Sequence, residues 1–359
     1  MAEMIDLWNI SKQKIDDNLS NYSFNVVGED GAGKTSFLYA LMNRLAPTVT
    51  WGYEDRFKAV PNLRVVQMQN WNEHLAYVKQ LRKGLKQRGT LPFKNLIIDT
   101  VGEAYVMCQD KVMVDNDWET MSGDHGGRYP IVGKAFMDSI RELKHMGLIV
   151  NFVSHDKDKT STDLNGQEYT KAYPDTANQI KHLVMGGIDF IVYLEVALVE
   201  DELGEQKEVR RLWIKGHPAL KLKCPLYGLP KYIEYETVEE GVDKFIEAFN
   251  IGVRVTQEMA DKGEDISNPN AENEVMPEFV EPTTGNDIED DDLDGDIVEE
   301  ADDLSLEELQ DKAIEIRDAL LGKMEKQDVI NLLKDKLGIA AITKCTDIDK
   351  LKNFVDSYK

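Results

Sequence analysis

Gly28-Glu29-Asp30-Gly31-Ala32-Gly33-Lys34-Thr35 has the spacing GxxxxGK[ST], the pattern with which a backbone wraps a chain of phosphates. Glycines let successive N–H groups turn inward on an anion where a Cβ would collide. A helix opening near Lys34 adds the positive end of its dipole. Read this way, Gly28, Asp30, Gly31, Ala32, Gly33, Lys34, Thr35 and Ser36 line the bound nucleotide. Lys34 bridges its β- and γ-phosphates and the Thr35 hydroxyl ligates Mg²⁺. ATP and Mg²⁺ are the expected cofactors, although no residue pattern reads out the base. A glycine-rich turn that binds nothing is the competing reading. It is disfavoured by the apolar strand before the motif and the helical pattern after it.

A second carboxylate is needed for the metal, and Asn95-Leu96-Ile97-Ile98-Asp99-Thr100 supplies Asp99 where a buried strand leaves the core. A helix-capping role at a strand–helix turn is the alternative. Hydrolysis also needs a group that orients the attacking water. Glu54, with Asp55 beside it, follows the second strand and is the candidate base, or else an exposed loop acid. His155 ends the apolar run Leu148–Ser154. A polar residue at the carboxyl end of a central strand points into the ligand crevice of such sheets, so His155 is placed either against the γ-phosphate or in a structural role.

These residues require a scaffold, and the hydrophobic pattern provides one. Strands are expected at Phe24–Val27, Val49–Tyr53, Leu63–Met68, Leu96–Asp99, Leu148–Ser154, Phe190–Val199 and Val209–Lys215. Helices are expected near Lys34–Leu45, Glu73–Gln87, Gly102–Val112 and Ile131–Met146. The first five strands are continuous apolar runs, as for parallel strands buried on both faces. Their alternation with helices gives an α/β fold with crossovers, and the last two strands read as an antiparallel hairpin across Glu200–Gln206. The expected organisation is an N-terminal helix over 1–20, the core over 21–250, an acidic disordered linker over 251–303 and a helical domain over 304–359. In the last, Ser305 and Glu308 form a capping box ahead of an apolar stripe, with further helices at Lys326–Lys336 and Asp347–Ser357.

With 359 residues the chain is long enough for two or three domains. Its formal charge is −24, which excludes indiscriminate binding to nucleic acid or anionic membrane through bulk charge. Asp261–Asp303 holds 18 acidic residues against one basic, so the other 316 residues carry only −7 and leave room for a local basic groove. That segment, poor in aromatics, cannot bury enough apolar surface to order itself. Cys108, Cys224 and Cys345 are scattered and odd in number, arguing for a reducing compartment and against a disulfide framework. Neither a signal peptide nor a run of about 20 apolar residues is present. A soluble, cytoplasmic protein with no membrane partner is expected.

Gly28–Thr35, Glu54, Leu96–Asp99 and Ser154-His155 followed by a polar stretch together resemble the RecA-like P-loop ATPases over about residues 20–245. The likeness is to the phage nucleotide-binding proteins of that group, including the core-only Sak-type single-strand-annealing recombinases, which would put the chain in a host cytoplasm. The resemblance implies a mostly parallel RecA-like core, Glu54 as the water-activating residue and His155 as the polar sensor before the second DNA-binding loop. That loop would be Asp156–Tyr173, with Lys157, Lys159 and Lys171 and a hairpin tip at Asn165-Gly166. The first would be Asp115–Tyr129, with Trp118, His125, Arg128 and Tyr129. Basic and aromatic residues suit a single strand, whose backbone needs cations and whose bases stack on rings; plain surface excursions are the alternative. Lys221-Leu222-Lys223 resembles the segment that carries lysines across a subunit interface onto the neighbour's γ-phosphate, or else is two exposed lysines on one strand face.

The expectation is an ATP-hydrolysing DNA recombination or replication protein that acts on single-stranded DNA as a homo-oligomer with shared sites. A single-strand-binding protein or another replication protein is a further expected partner. The alternative is a nucleotide-dependent scaffold whose C-terminal helices recruit replication partners.

Overall fold

The computed structural model describes residues 14–60, 62–122, 126–162, 168–200, 206–267, 306–321, 326–339 and 347–358, with Gly204, Pro269, Lys323, Met324, Ile342 and Cys345 besides. In chain order the elements are β1 (Phe24–Val27), α1 (Lys34–Leu45), β2 (Thr48–Gly52), β3 (Val65–Gln67), α2 (Trp71–Arg88), β4 (Asn95–Asp99), α3 (Val101–Asp115), α4 (Arg128–His145), β5 (Ile149–Ser154), β6 (Asp156–Thr162), β7 (Glu168–Pro174), β8 (Phe190–Glu200), β9 (Gln206–Trp213), β10 (Tyr232–Tyr235) and α5 (Val238–Lys262). After these come α6 (Leu306–Leu321), α7 (Lys326–Leu337) and α8 (Ile348–Asp356). The chain divides into two compact units. The larger holds β1 to α5 apart from the tip of the β8–β9 pair, and the smaller holds α6 to α8.

The larger unit is built on an eight-stranded sheet in the order β10-β9-β8-β1-β5-β4-β2-β3. The pairings from β8 through β1, β5, β4 and β2 to β3 are parallel, and β10 runs antiparallel to β9. Parallel strands need crossovers on both faces, and the burial follows. On one face Phe24, Phe37, Leu38, Phe190, Phe245 and Phe249 pack α1 and α5 against the sheet. On the other, Trp51, Trp71, Tyr105, Phe136 and Phe152 pack α2, α3 and α4. Two buried polar side chains of the central strands pair with neighbours across the sheet. Asn151 accepts from the Phe24 amide at 2.9 Å, and Ser154 donates to Asn25 at 2.9 Å.

Register is what matters for function. Val27 lies opposite Ser154, Val153 opposite Asp99, and Asp99 opposite Gly52. The carboxyl ends of β1, β5, β4 and β2 therefore finish level, at one edge of the sheet. The residues that follow those four strands converge there.

The structure corrects several expectations. Within the proposed N-terminal helix, residues 14–18 are irregular and only a single turn, Leu19–Asn21, is helical. The Asp16 carboxylate accepts from the Asn18 amide and the Asn21 side chain, a local polar alternative to helix hydrogen bonds; residues 1–13 lie outside the described residues. The core does not end at residue 250. Helix α5 continues to Lys262 because its buried stripe (Val242, Phe245, Phe249, Gly252, Thr256) continues, and Gly263, at φ +74°, caps it. The linker expected from residue 251 thus starts no earlier than Gly263. Most of it, like Ser305 of the capping box and the Asn165-Gly166 tip, lies outside the described residues. The polar segment after His155 is an antiparallel ribbon, β6 paired with β7.

In the smaller unit, Leu309, Ala313, Val329, Leu333, Leu337, Leu351, Phe354 and Val355 form a core shared by the three helices. Asp347 caps α8 through the Lys350 amide.

Candidate nucleotide site

Three glycines of the Gly28–Thr35 loop have positive φ, and two of them show why glycine is required. A Cβ at Gly28 (φ +149°) would stand 2.1 Å from the Leu194 carbonyl oxygen of β8. At Gly33 (φ +97°) it would meet the Arg210 side chain at 3.1 Å. Gly33 opens α1 without any side-chain cap, so the first amides of the helix are unspent and face the loop. The buried Lys34 ammonium donates to the carbonyls of Gly28 and Glu29, both at 2.7 Å, tying the loop across itself. Burial lowers the Lys34 pKa, offset by Asp30 and Asp99. A bound polyanion would favour the charged form further.

Thr35 donates to Asp99 at 2.5 Å. Asp99 is buried, and burial pushes its pKa up to about 6, against the lowering effect of the Thr35 hydrogen bond and with a further raise from the Glu54 charge. It caps no helix. Thr100 holds the N-cap position of α3, and the Asp99 carboxylate faces Thr35 instead. A hydroxyl and a buried carboxylate oxygen converging at hydrogen-bond distance fit the two protein ligands that Mg²⁺ keeps beside substrate phosphates and waters. When bound, that ion would neutralise phosphate charge. Among the described residues no group of three or more His, Cys, Asp or Glu side chains could hold a metal by itself.

Glu54 is not an exposed loop acid, since its side chain is only 14 % exposed. Its Oε1 accepts from the Thr100 hydroxyl at 2.8 Å and lies 3.0 Å from His155 Nε2, and its Oε2 pairs with Arg56 at 3.3 Å. The other ring nitrogen of His155 lies 2.9 Å from Asp30 Oδ1, which also pairs with Arg56 at 2.9 Å. The Arg56 hydrogen bond holds Asp30 below its ordinary pKa. His155 and Arg56 therefore each connect Glu54 to the phosphate loop. Sequence reasoning missed Arg56 and Thr100, whose links to Asp30 and Glu54 respectively join residues distant in the chain and leave no motif.

Glu54 is also braced from behind. Tyr53, the residue before it, is buried, and its hydroxyl lies 2.6 Å from His74 Nδ1. His74 Nε2 lies 2.6 Å from the Ser139 hydroxyl, and the ring stacks on Trp71 at 3.8 Å. Complete burial drives the His74 pKa down to about 3, so the ring is neutral.

The residue after His155 opens the β6–β7 ribbon. Lys159 stands directly opposite Lys171 in that ribbon, and Lys171 has its pKa lowered by burial and by the neighbouring Lys221. Lys221 is brought there by backbone pairing with Ala172 (2.8 Å). Lys157 is exposed, with Asp175 3.6 Å away. A groove of about 480 Å³ beside the ribbon is lined by Lys157, Lys159, Tyr173, Asn178 and Lys181, and the Lys181 ammonium lies 5.3 Å from the Tyr173 ring.

Two expected placements change. Arg128 and Tyr129 are not loop residues but the first turn of α4. Arg128 lies over the Trp118 ring at 5.0 Å and donates to the Thr120 carbonyl; His125 lies outside the described residues. Lys223 does not project from an exposed strand face: its ammonium donates to the carbonyls of Gly186 (2.9 Å) and Ile188 (2.5 Å). No helix among the described residues is long and apolar enough to cross a membrane.

A family model described as AAA domain matches residues 20–223, more than half of the chain and the whole span from β1 to β9. No curated protein matches the sequence.

Proposed function

Because the chain belongs to the AAA-domain family of P-loop ATPases, whose common property is nucleotide binding and hydrolysis, we propose that it couples ATP turnover to single-stranded DNA in recombination or replication. Annealing or strand exchange by a homo-oligomer, in the manner of the phage Sak-type proteins, is the form this takes. Lys34 holds the triphosphate, Thr35 and Asp99 would hold a Mg²⁺ that neutralises its charge, and Glu54 orients the attacking water. His155 senses the terminal phosphate.

One observation carries the reading: the sensor and the basic ribbon are consecutive. His155 touches both Glu54 and Asp30, and β6 begins at the next residue with Lys157 and Lys159 on it. Like charges set directly opposite on a ribbon, as Lys159 and Lys171 are, oppose its folding. A polyanion lying along the groove removes that cost. Tyr173 and the ring–lysine pair at Lys181 supply a surface on which bases stack. In an oligomer, Lys221 is the remaining candidate to reach a neighbour's γ-phosphate. The C-terminal helices, with their own core, are the module for a single-strand-binding or other replication protein.

The test is ATP turnover by the full chain with and without single-stranded DNA, with Lys34→Ala as the control, and particle size in the presence of ATP. DNA should raise turnover, and the control should be inactive. If DNA alters neither turnover nor the size of the ATP-bound protein, the DNA reading falls and a nucleotide-timed scaffold takes its place.

A further inference from the structure

Arg210, on β9, places its side chain over Gly33, the residue that opens α1. A Cβ built there would stand 3.1 Å from Arg210 Nε and 3.7 Å from its Cδ. This is an unfavourable place for a cation. The helix start carries the positive end of the dipole, and Lys34 is the next residue. Arg210 Nε is buried with no hydrogen-bond partner among the described residues, nor is Arg210 in any ion pair there. Its neighbour Arg211 is the contrast, paired with Glu234 at 2.5 Å and Glu195 at 3.5 Å and set over the rings of Trp213 and Tyr232. Opposite Arg210 in register is Tyr235, whose ring stacks on Phe37 of α1 at 5.8 Å and whose hydroxyl is likewise buried and unpartnered. An unpaired guanidinium nitrogen costs free energy unless something on the ligand answers it.

The sheet order says which part of the ligand that is. Thr35, Asp99 and Glu54 lie on the β4–β2 side of β1, so a metal held by the first two and the terminal phosphate beside it would lie there. The rest of the nucleotide would then leave the loop on the opposite side, where β8 and β9 stand. We infer that Arg210 is a nucleotide-positioning residue that grips the α-phosphate and sugar end of the bound nucleotide, a contact kept by the diphosphate product. It rests on the nucleotide site alone and is independent of DNA.

Calorimetry on the full chain with Mg²⁺ tests it, using ATP, ADP and inorganic tripolyphosphate as ligands and Arg210→Ala and Arg210→Lys as variants. The alanine variant should bind ATP and ADP more weakly by the same factor, roughly ten- to a hundredfold. Lysine should recover part of that loss, and affinity for tripolyphosphate, which offers the phosphates without the sugar, should fall by less. Without ligand, the alanine variant should melt no lower than the parent, because it sheds an unpaired cation. Undiminished ADP affinity, an equal loss for tripolyphosphate, or a lower ligand-free melting temperature would each overturn the inference. A parent chain that binds none of the three ligands would instead overturn the nucleotide site itself.

Discussion

His155 Nε2 lies 3.0 Å from Glu54 Oε1, joining the carboxyl ends of β5 and β2 across the strand that carries Asp99. Through its other nitrogen the same ring reaches Asp30 of the phosphate loop. A nucleotide that displaces Asp30 therefore acts on the ring that holds Glu54, and the ring heads the basic ribbon.

His155→Ala should lower kcat roughly a hundredfold by releasing Glu54 from its position, while ATP affinity changes little. Any effect of DNA on turnover should disappear, and His155→Gln should recover part of it. Steady-state kinetics with nucleotide binding measured separately will decide. An unchanged kcat would reduce the ring to a packing role.

Asp99 gives a prediction with a definite sign. Its folded pKa is raised from 3.8 to about 6, so the folded state favours the protonated form. The stability this contributes is full below about pH 4 and is lost as pH rises through about 6. Asp99→Asn should therefore raise the stability of the ligand-free protein at pH 7.5 by an amount on the order of 2–3 kcal/mol, and its melting temperature with it. It should also abolish the Mg²⁺-dependence of nucleotide binding. In the parent chain, Mg²⁺-dependent binding should weaken as pH falls below 6.

How far the sequence foretold this site depends on the kind of constraint. The phosphate loop was legible because its glycines answer a local backbone demand, seen at Gly28, where the Leu194 carbonyl leaves no room for a side chain. Asp99, Glu54 and His155 were legible because apolar runs mark where buried strands end. Thr100, Arg210 and the reach of Arg56 to Asp30 were not, since those contacts join segments distant in the chain. The β6 segment Asp-Lys-Asp-Lys-Thr-Ser-Thr has no apolar alternation and forms a strand only through its partner β7. Strand β10 is four residues long, too short for a pattern. Helix α5 is a different case: its buried stripe runs unbroken from Val242 to Thr256, and the acidic segment beyond drew the boundary too early.

His74 predicts acid sensitivity. Its folded pKa, about 3, lies below the ordinary 6.5, so the associated stability is full above pH 6.5 and drains away as pH falls toward 3. His74→Ala leaves the Tyr53 and Ser139 hydroxyls unpaired and should cost roughly 2–4 kcal/mol. The variant should also lose this part of the pH dependence in denaturant titrations. Because Tyr53 precedes Glu54, kcat should fall more than ATP affinity. Equal acid profiles for parent and variant would remove the ring from the account.

The Lys159–Lys171 pair separates a binding role from a structural one, since the two roles predict opposite changes in stability. Removing one of two opposed cations should stabilise the free ribbon by a few tenths of a kcal/mol to about 1 kcal/mol. Lys159→Thr keeps a β-branched residue suited to a strand. It should therefore melt at or slightly above the parent temperature while binding single-stranded DNA more weakly. If the lysine meets a phosphate, the slope of log affinity against log salt should fall by about 0.7, one phosphate's share for a single strand. The loss should be the same for any base sequence, because a phosphate contact carries no sequence information. A variant that melts lower and binds DNA with an unchanged salt slope would make the lysines part of the ribbon's own packing and move the DNA contact elsewhere.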